Sequence, residues 1–152
     1  MGNNAGGISI VAFVIAVGVS IGYYQYVYVP EVNARPILPE EVLNPPETAQ
    51  VQMVEGSSNE ANGRFFVPLS LRTTIEIDNR VQWTNNDITS HSVTSDDYVD
   101  RINGKFDSMD TIGLVSPGGT YEFTFTAVGE YDYYCVPHPW MTGTVEVIEN
   151  FA

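Results

Sequence analysis

An antiparallel β-sandwich carried behind one membrane-spanning helix is the fold class that this sequence predicts. Three observations point to it: an uncharged stretch from Ile8 to Val29, a proline-rich segment after it, and a run of short apolar strands beyond residue 50. The expected organisation is an anchor over 1–29, a linker over 30–50 and a globular domain over 51–152.

The stretch ISIVAFVIAVGVSIGYYQYVYV carries no charge, and Gln25 is its one strongly polar side chain. Its 22 residues, at about 1.5 Å each, make roughly 33 Å against a hydrocarbon core of about 30 Å. Tyr23, Tyr24, Tyr26 and Tyr28 crowd its C-terminal end, where amphipathic rings prefer the headgroup level. A cleaved leader is the rival reading. No basic residue precedes Ile8 and no A-x-A site precedes the tyrosines, so a retained single-pass anchor is expected. Gly18 and Gly22 form one small-xxx-small pair, too common in such segments to argue for dimerisation. Arg35 is the nearest positive residue, but it sits among Glu31, Glu40, Glu41 and Glu47 and says little about orientation.

Pro30, Pro36, Pro39, Pro45 and Pro46 break any continuous helix over 30–50 and favour extended conformations. About twenty such residues reach roughly 60 Å. A free spacer and a segment partly packed on the domain are both open from the sequence.

Beyond residue 50 the strands expected are Gln52–Glu55, Phe65–Pro68, Thr74–Ile77, Val81–Thr84, Ser92–Thr94, Tyr121–Thr126, Tyr131–Cys135 and Thr144–Ile148. Turn signals separate them, among them Asn85-Asn86-Asp87 and Pro117-Gly118-Gly119. Tyr121, Phe123 and Phe125 alternate with Glu122, Thr124 and Thr126, the period of a half-buried strand. Residues 96–113 read as an irregular surface excursion with a short helical turn. The acids Asp96, Asp97, Asp100, Asp107 and Asp110 within it read as solvated surface or, alternatively, as a docking patch for a basic partner.

Composition narrows the function. Six Lys plus Arg against nineteen Asp plus Glu give a net charge of −13, which argues against nucleic-acid binding. One Cys excludes an internal disulfide, zinc sites built on paired cysteines and a two-cysteine dicopper centre. Two His are too few for the extra metals of a multicopper oxidase or a copper nitrite reductase. Taken singly, a Cys is ordinarily a small buried hydrophobe, and a His a satisfied core or surface residue. Here every Cys and His falls into one pattern. Cys135, His138 and Met141 lie within seven residues in a loop between two predicted strands, and His91 ends the turn before Ser92. One Cys, two His and a Met make up the donor set of a blue-copper site, a His₂Cys plane with a weak axial thioether. Met53 and Met109 read as packing residues.

The segments VQWTNNDITSHSV, LVSPGGTYEFTFTAVGEYDYYC and VPHPWMTGTVEV resemble the cupredoxins, the small blue copper proteins, over about Val51 to Glu149. The short His138–Met141 spacing with both prolines is similar to the ligand loop of amicyanin. The resemblance implies a Greek-key β-sandwich and copper held by His91, Cys135, His138 and Met141. Where the family often has Asn after the first ligand, Ser92 stands here, and Val136 replaces the usual Ser or Thr after the Cys. Val136 has no hydroxyl to reciprocate, which leaves the clamp between the two ligand loops open. The backbone N–H of Ser92 remains a donor for the Cys135 sulfur, and Pro137 has none to add. Fewer donors to the thiolate imply a lower reduction potential than a two-donor site has.

The resulting expectation is a membrane-anchored, non-enzymatic carrier of single electrons on the extracytoplasmic side, using one copper ion. Its partners would be redox proteins: a cytochrome, an oxidase or another copper protein. His138, flanked by Pro137, Pro139 and Trp140, is expected to show its ring edge through an apolar patch; Tyr134 is a second exit or simple packing. The alternatives are a fixed cupredoxin subunit of a larger membrane oxidase or monooxygenase, and a copper storage or delivery protein.

Overall fold

The computed structural model describes residues 5–33, 37–100 and 102–151. Arg35 and Pro36 lie outside the described residues, as do the side chains of Asp96 and Asp97. The chain divides into two compact units between residues 36 and 37.

The first unit is helical: α1 (Ala5–Tyr23), a π-helical turn (Tyr24–Tyr28) and α2 (Val29–Val32). Ile10–Val32 is long and apolar enough to cross a membrane, and none of it is buried within the structure. The helix runs past Val29, where the prolines predicted its end. In a regular helix Pro30 would clash with the carbonyl four residues back and leave it without a donor. Here the turn is widened, and the Val29 N–H donates to Tyr24 O, five residues away. A π-turn just ahead of a proline lets the helix continue by one more turn.

The second unit is a two-layer sandwich. Its elements are α3 (Glu40–Leu43), β1 (Thr48–Met53), β2 (Phe66–Val67), β3 (Ser70–Thr74), β4 (Arg80–Asn85), β5 (Thr94–Asp100), β6 (Gly104–Asp107), α4 (Ser108–Thr111), β7 (Thr120–Thr124), β8 (Gly129–Tyr134) and β9 (Thr142–Ile148), with a short 3₁₀ turn at Glu60–Asn62. One sheet runs β2-β1-β4-β7 and the other β3-β9-β8-β5-β6. The predicted purely antiparallel sheets are corrected at two places. β1 pairs with β4 in parallel, and β3 with β9 in parallel, because the intervening chain crosses to the other sheet before returning.

Alternation places the core, as predicted for Tyr121, Phe123 and Phe125. Val81 and Trp83 of β4, Tyr121 and Phe123 of β7, Tyr131 and Tyr133 of β8 and Val145 and Val147 of β9 all turn inward. Trp83 packs on Phe106 and Tyr121 at 5.3 and 5.7 Å between ring centroids and meets Tyr133 edge-on at 5.5 Å. Met53 joins this core, whereas Met109 is exposed.

Residues 96–113 are not an irregular excursion. They form the β5–β6 hairpin and α4, and an irregular register between Thr94 and Val99 hides the alternation. Asp100 and Asp107 are both buried, which removes them from any surface acidic patch. The Asp100 carboxylate accepts from the N–H groups of Ile102 and Asn103 at the hairpin turn, and from Thr126 and the Tyr98 hydroxyl. Downstream of residue 36 the proline-rich segment packs on the sandwich: Val42 and Pro45 are buried, and Asn79 Nδ2 donates to Val42 O at 2.8 Å. β1 accordingly begins at Thr48.

Gly143 of β9 faces Tyr133 of β8 in register, and a Cβ there would lie 2.5 Å from the tyrosine ring. Gly143→Ala is therefore expected to destabilise the domain by about 1–3 kcal/mol, read as a lowered denaturant midpoint with an unchanged slope.

Candidate metal centre

Two loops build the site. The first leaves β4 at Asn85, whose side-chain amide donates to the carbonyls of Thr89 and Val115 while its Oδ1 accepts from the Asp87 N–H. This turn delivers His91 to a two-way backbone bridge with Val115, at 3.2 and 2.7 Å. The second loop continues inward-facing β8 through Cys135 and closes on itself. His138 N–H donates to Cys135 O, Met141 N–H to His138 O, and Cys135 N–H to Met141 O.

Three of the four predicted donors come together at one point. His91 Nδ1 and His138 Nδ1 are 3.1 Å apart, and each lies 3.6 Å from Cys135 Sγ. A triangle with those sides has its centre about 2.0 Å from each corner, close to the roughly 2.0–2.3 Å at which imidazole nitrogen and thiolate sulfur bind a first-row metal ion. Among the described residues this is the one cluster of three or more His, Cys, Asp or Glu side chains able to hold a metal. Met141 is fully buried in the same core cluster as Cys135, at the end of the loop. Soft sulfur and borderline nitrogen donors in a trigonal set fit copper.

The surroundings fix each donor. The far nitrogen of His91, Nε2, lies 3.0 Å from Asp87 Oδ2 and 3.2 Å from Ser57 Oγ. Asp87 is buried, and its oxygens accept from the N–H groups of Gly56, Ser58 and Ile88. Burial pushes the Asp87 carboxyl up, but these donors and His91 outweigh it and hold the group well below the usual carboxylate range. An ionised Asp87 only accepts, so the His91 proton sits on Nε2 and Nδ1 keeps its lone pair for a metal. Burial, with His138 beside it, lowers the His91 pKa despite Asp87, which keeps the ring neutral. Burial raises the Cys135 thiol, and the backbone N–H groups of Ser92 and His138 pull it back in part. A metal must therefore displace a proton from the sulfur.

The clamp between the loops is present, in a form that the side chains did not announce. The Ser92 N–H donates to Cys135 Sγ at 3.3 Å, and Ser92 Oγ accepts from the Val136 backbone N–H at 2.8 Å. The main chain of Val136 does what its side chain cannot. Trp140 donates its indole N–H to Ser57 O at 3.2 Å and packs against His138 at 5.4 Å. Val136, Pro137 and Pro139 are exposed beside half-buried His138, and Tyr134 is half-buried on the outer face of β8. Asp87 and Ser57 escaped the sequence reading; the one signal was the Asn-Asn-Asp turn four residues ahead of His91.

Fold and site together define a β-sandwich metalloprotein with a buried nitrogen–sulfur centre. Residues 55–148 match the family of copper binding proteins described as plastocyanin/azurin. The chain belongs to that family, and its cofactor is a single type 1 copper ion. It is 32% identical to amicyanin from Paracoccus versutus over 82 residues, covering 52% of this chain and 56% of that one. Against the chloroplastic plastocyanin of Chlamydomonas reinhardtii it is 39% identical over 75 residues, covering 48% and 50%. The chain thus spans about half the length of the curated relatives it matches. Among solved structures, a purple cupredoxin from Nitrosopumilus maritimus superposes with a TM-score of 0.54 at 33% identity, covering 66% of this chain and 99% of that one. A copper-containing nitrite reductase from Thermus scotoductus shares the fold, with a TM-score of 0.52 at 24% identity over 28% of its length.

Two outcomes test this arrangement. Asp87→Asn weakens the anchor of His91 and is expected to lower copper affinity about 10–100-fold, measured by competition with a chelator. Without copper, stability is expected to fall with acid in two stages. Neutral His91 is favoured by the fold, so loss begins as pH drops below its ordinary 6.5. Asp87, Asp100 and Asp107 are held down in the fold, so their contribution is complete above 3.8 and is lost as pH falls through that value toward their depressed ones. Denaturant midpoints of the metal-free chain across that range check both stages.

Proposed function

We propose that this chain is a membrane-tethered blue copper protein that carries single electrons between redox proteins on the extracytoplasmic side, with His91, Cys135, His138 and Met141 as the copper ligands. The convergence of the two imidazole nitrogens on the buried sulfur carries the reading. Copper, when bound, supplies a one-electron couple between Cu(I) and Cu(II). The protein's part is to hold the donors still. Asp87 pins His91 from behind, Ser92 and the bonds closing the 135–141 loop pin Cys135, and a fixed donor set keeps the rearrangement on electron transfer small. His138 is the donor nearest solvent, and exposed Val136, Pro137 and Pro139 beside it give a partner an apolar surface to sit on. Four protein donors around one ion favour a carrier over an enzyme.

The Ile10–Val32 helix supports the tether by its length and apolar surface. In this reading residues 1–29 form the anchor's main part, and the packed portion of 30–50 belongs structurally with the domain.

The test is an absorption spectrum of the full chain loaded with copper in detergent. An intense visible thiolate-to-Cu(II) band, bleached reversibly by one electron per copper and abolished in Cys135→Ser, is the expected result. Stoichiometric Cu(II) binding without that band contradicts the ligand set.

A further inference from the structure

A buried row of hydrogen bonds runs from β6 to the peptide following Cys135, and proton counting gives it a direction. Thr94 Oγ1 lies 2.9 Å from Asp107 Oδ1 and 3.2 Å from Ser92 Oγ, and the Val136 N–H donates to Ser92 Oγ at 2.8 Å. Ser92, Thr94 and Asp107 are all buried. Each hydroxyl has one proton to give and lone pairs with which to accept. Burial pushes the Asp107 carboxyl up, but the Lys105 ammonium at 2.8 Å, the Met109 N–H and Thr94 outweigh it and keep the group ionised. An ionised carboxylate only accepts, so the Thr94 proton points to Asp107. Thr94 Oγ1 then faces Ser92 with a lone pair, and the Ser92 proton points to Thr94. Ser92 also borders the sulfur: its N–H donates to Cys135 Sγ at 3.3 Å, and its hydroxyl proton, were it turned to the sulfur instead of to Thr94, would be a further donor there.

We propose that Asp107 and Thr94 are positioning residues that draw the Ser92 hydroxyl proton away from Cys135 Sγ, leaving the Ser92 backbone N–H as that residue's donor to the sulfur. A thiolate with fewer donors keeps more of its charge, which favours Cu(II) and holds the reduction potential down. Asp107, two residues from Lys105 and in a different strand from either donor loop, thus acts on the site through two hydroxyls. This rests on Cys135 being a copper ligand.

Thr94→Val tests it, because it deletes the acceptor for the Ser92 proton and changes no charge. In the copper-loaded full chain in detergent, equilibrium against a redox mediator is expected to shift about two- to tenfold toward Cu(I), the worth of one hydrogen bond redirected to the sulfur. Thr94→Ser restores the hydroxyl and is expected to match the unsubstituted chain. Hydrogen exchange of the Val136 amide in the Cu(I) protein gives a readout independent of potential. It is expected to stay slow in Thr94→Val, where Ser92 Oγ still accepts, and to quicken in Ser92→Ala. A purely structural role for Thr94 predicts a lower unfolding midpoint with the mediator equilibrium unmoved; that result, or a shift toward Cu(II), overturns the proposal. Should Thr94→Val fail to fold, Thr94→Ala reads the same equilibrium. A visible thiolate band with an unmoved equilibrium sinks this proposal alone, whereas copper bound without the band sinks the ligand assignment and this proposal with it.

Discussion

The two donor-bearing loops meet because β5 starts where β8 ends. Thr94 and Tyr134 are a register pair between these strands, and that antiparallel step sets the residues before Thr94 against those after Tyr134. From it follow the Ser92 N–H on the Cys135 sulfur, Ser92 Oγ on the Val136 N–H, and His91 across from His138. A slip of one residue would turn Cys135 out of the core, since side chains alternate faces along a strand. The inward phase of β8 is fixed by Tyr131 and Tyr133, both packed in the aromatic core. Core packing far from the metal therefore decides which way the sulfur points.

Polar groups then secure what the register brings together. Asp87 is taken out of water and recovers the loss through backbone N–H donors, the Ser57 hydroxyl and the His91 ring. The loop that follows β1 is thereby tied to His91, and through Ser57 O to Trp140 in the loop that carries Cys135, His138 and Met141. One turn of chain with no metal donor of its own braces both halves of the site.

Much of this was legible in the sequence, for physical reasons. β-Branched and aromatic runs between turn signals, with alternation added in β7, declared β4, β7, β8 and β9 within a residue or two at each end. The cluster of His91, Cys135 and His138 was legible because Cys and His are scarce in this chain and all of them fall in one pattern. What stayed hidden depends on partners remote in sequence. Nothing local distinguishes Asp87, Asp100 and Asp107 from solvated acids, because their burial is offset by N–H and hydroxyl donors that only the fold assembles. The β5–β6 hairpin was missed for the same reason: its acidic residues mimic a loop, and the irregular register breaks the period. The parallel pairings of β1 with β4 and β3 with β9 follow from the crossing of the chain between sheets, which no single strand encodes. At residue 136 the side chain misled, since the clamp uses the main chain.

The central claim is that nitrogen from His91 and His138 and sulfur from Cys135 surround one copper ion without moving as it changes charge. X-ray absorption at the copper edge, taken on the full chain in both oxidation states, addresses it most directly. The account predicts one short sulfur neighbour and two imidazole nitrogens at about 2.0–2.3 Å, with nearly the same distances in Cu(I) and Cu(II). A shell of nitrogen and oxygen without short sulfur, or a change in ligand number on reduction, would contradict it.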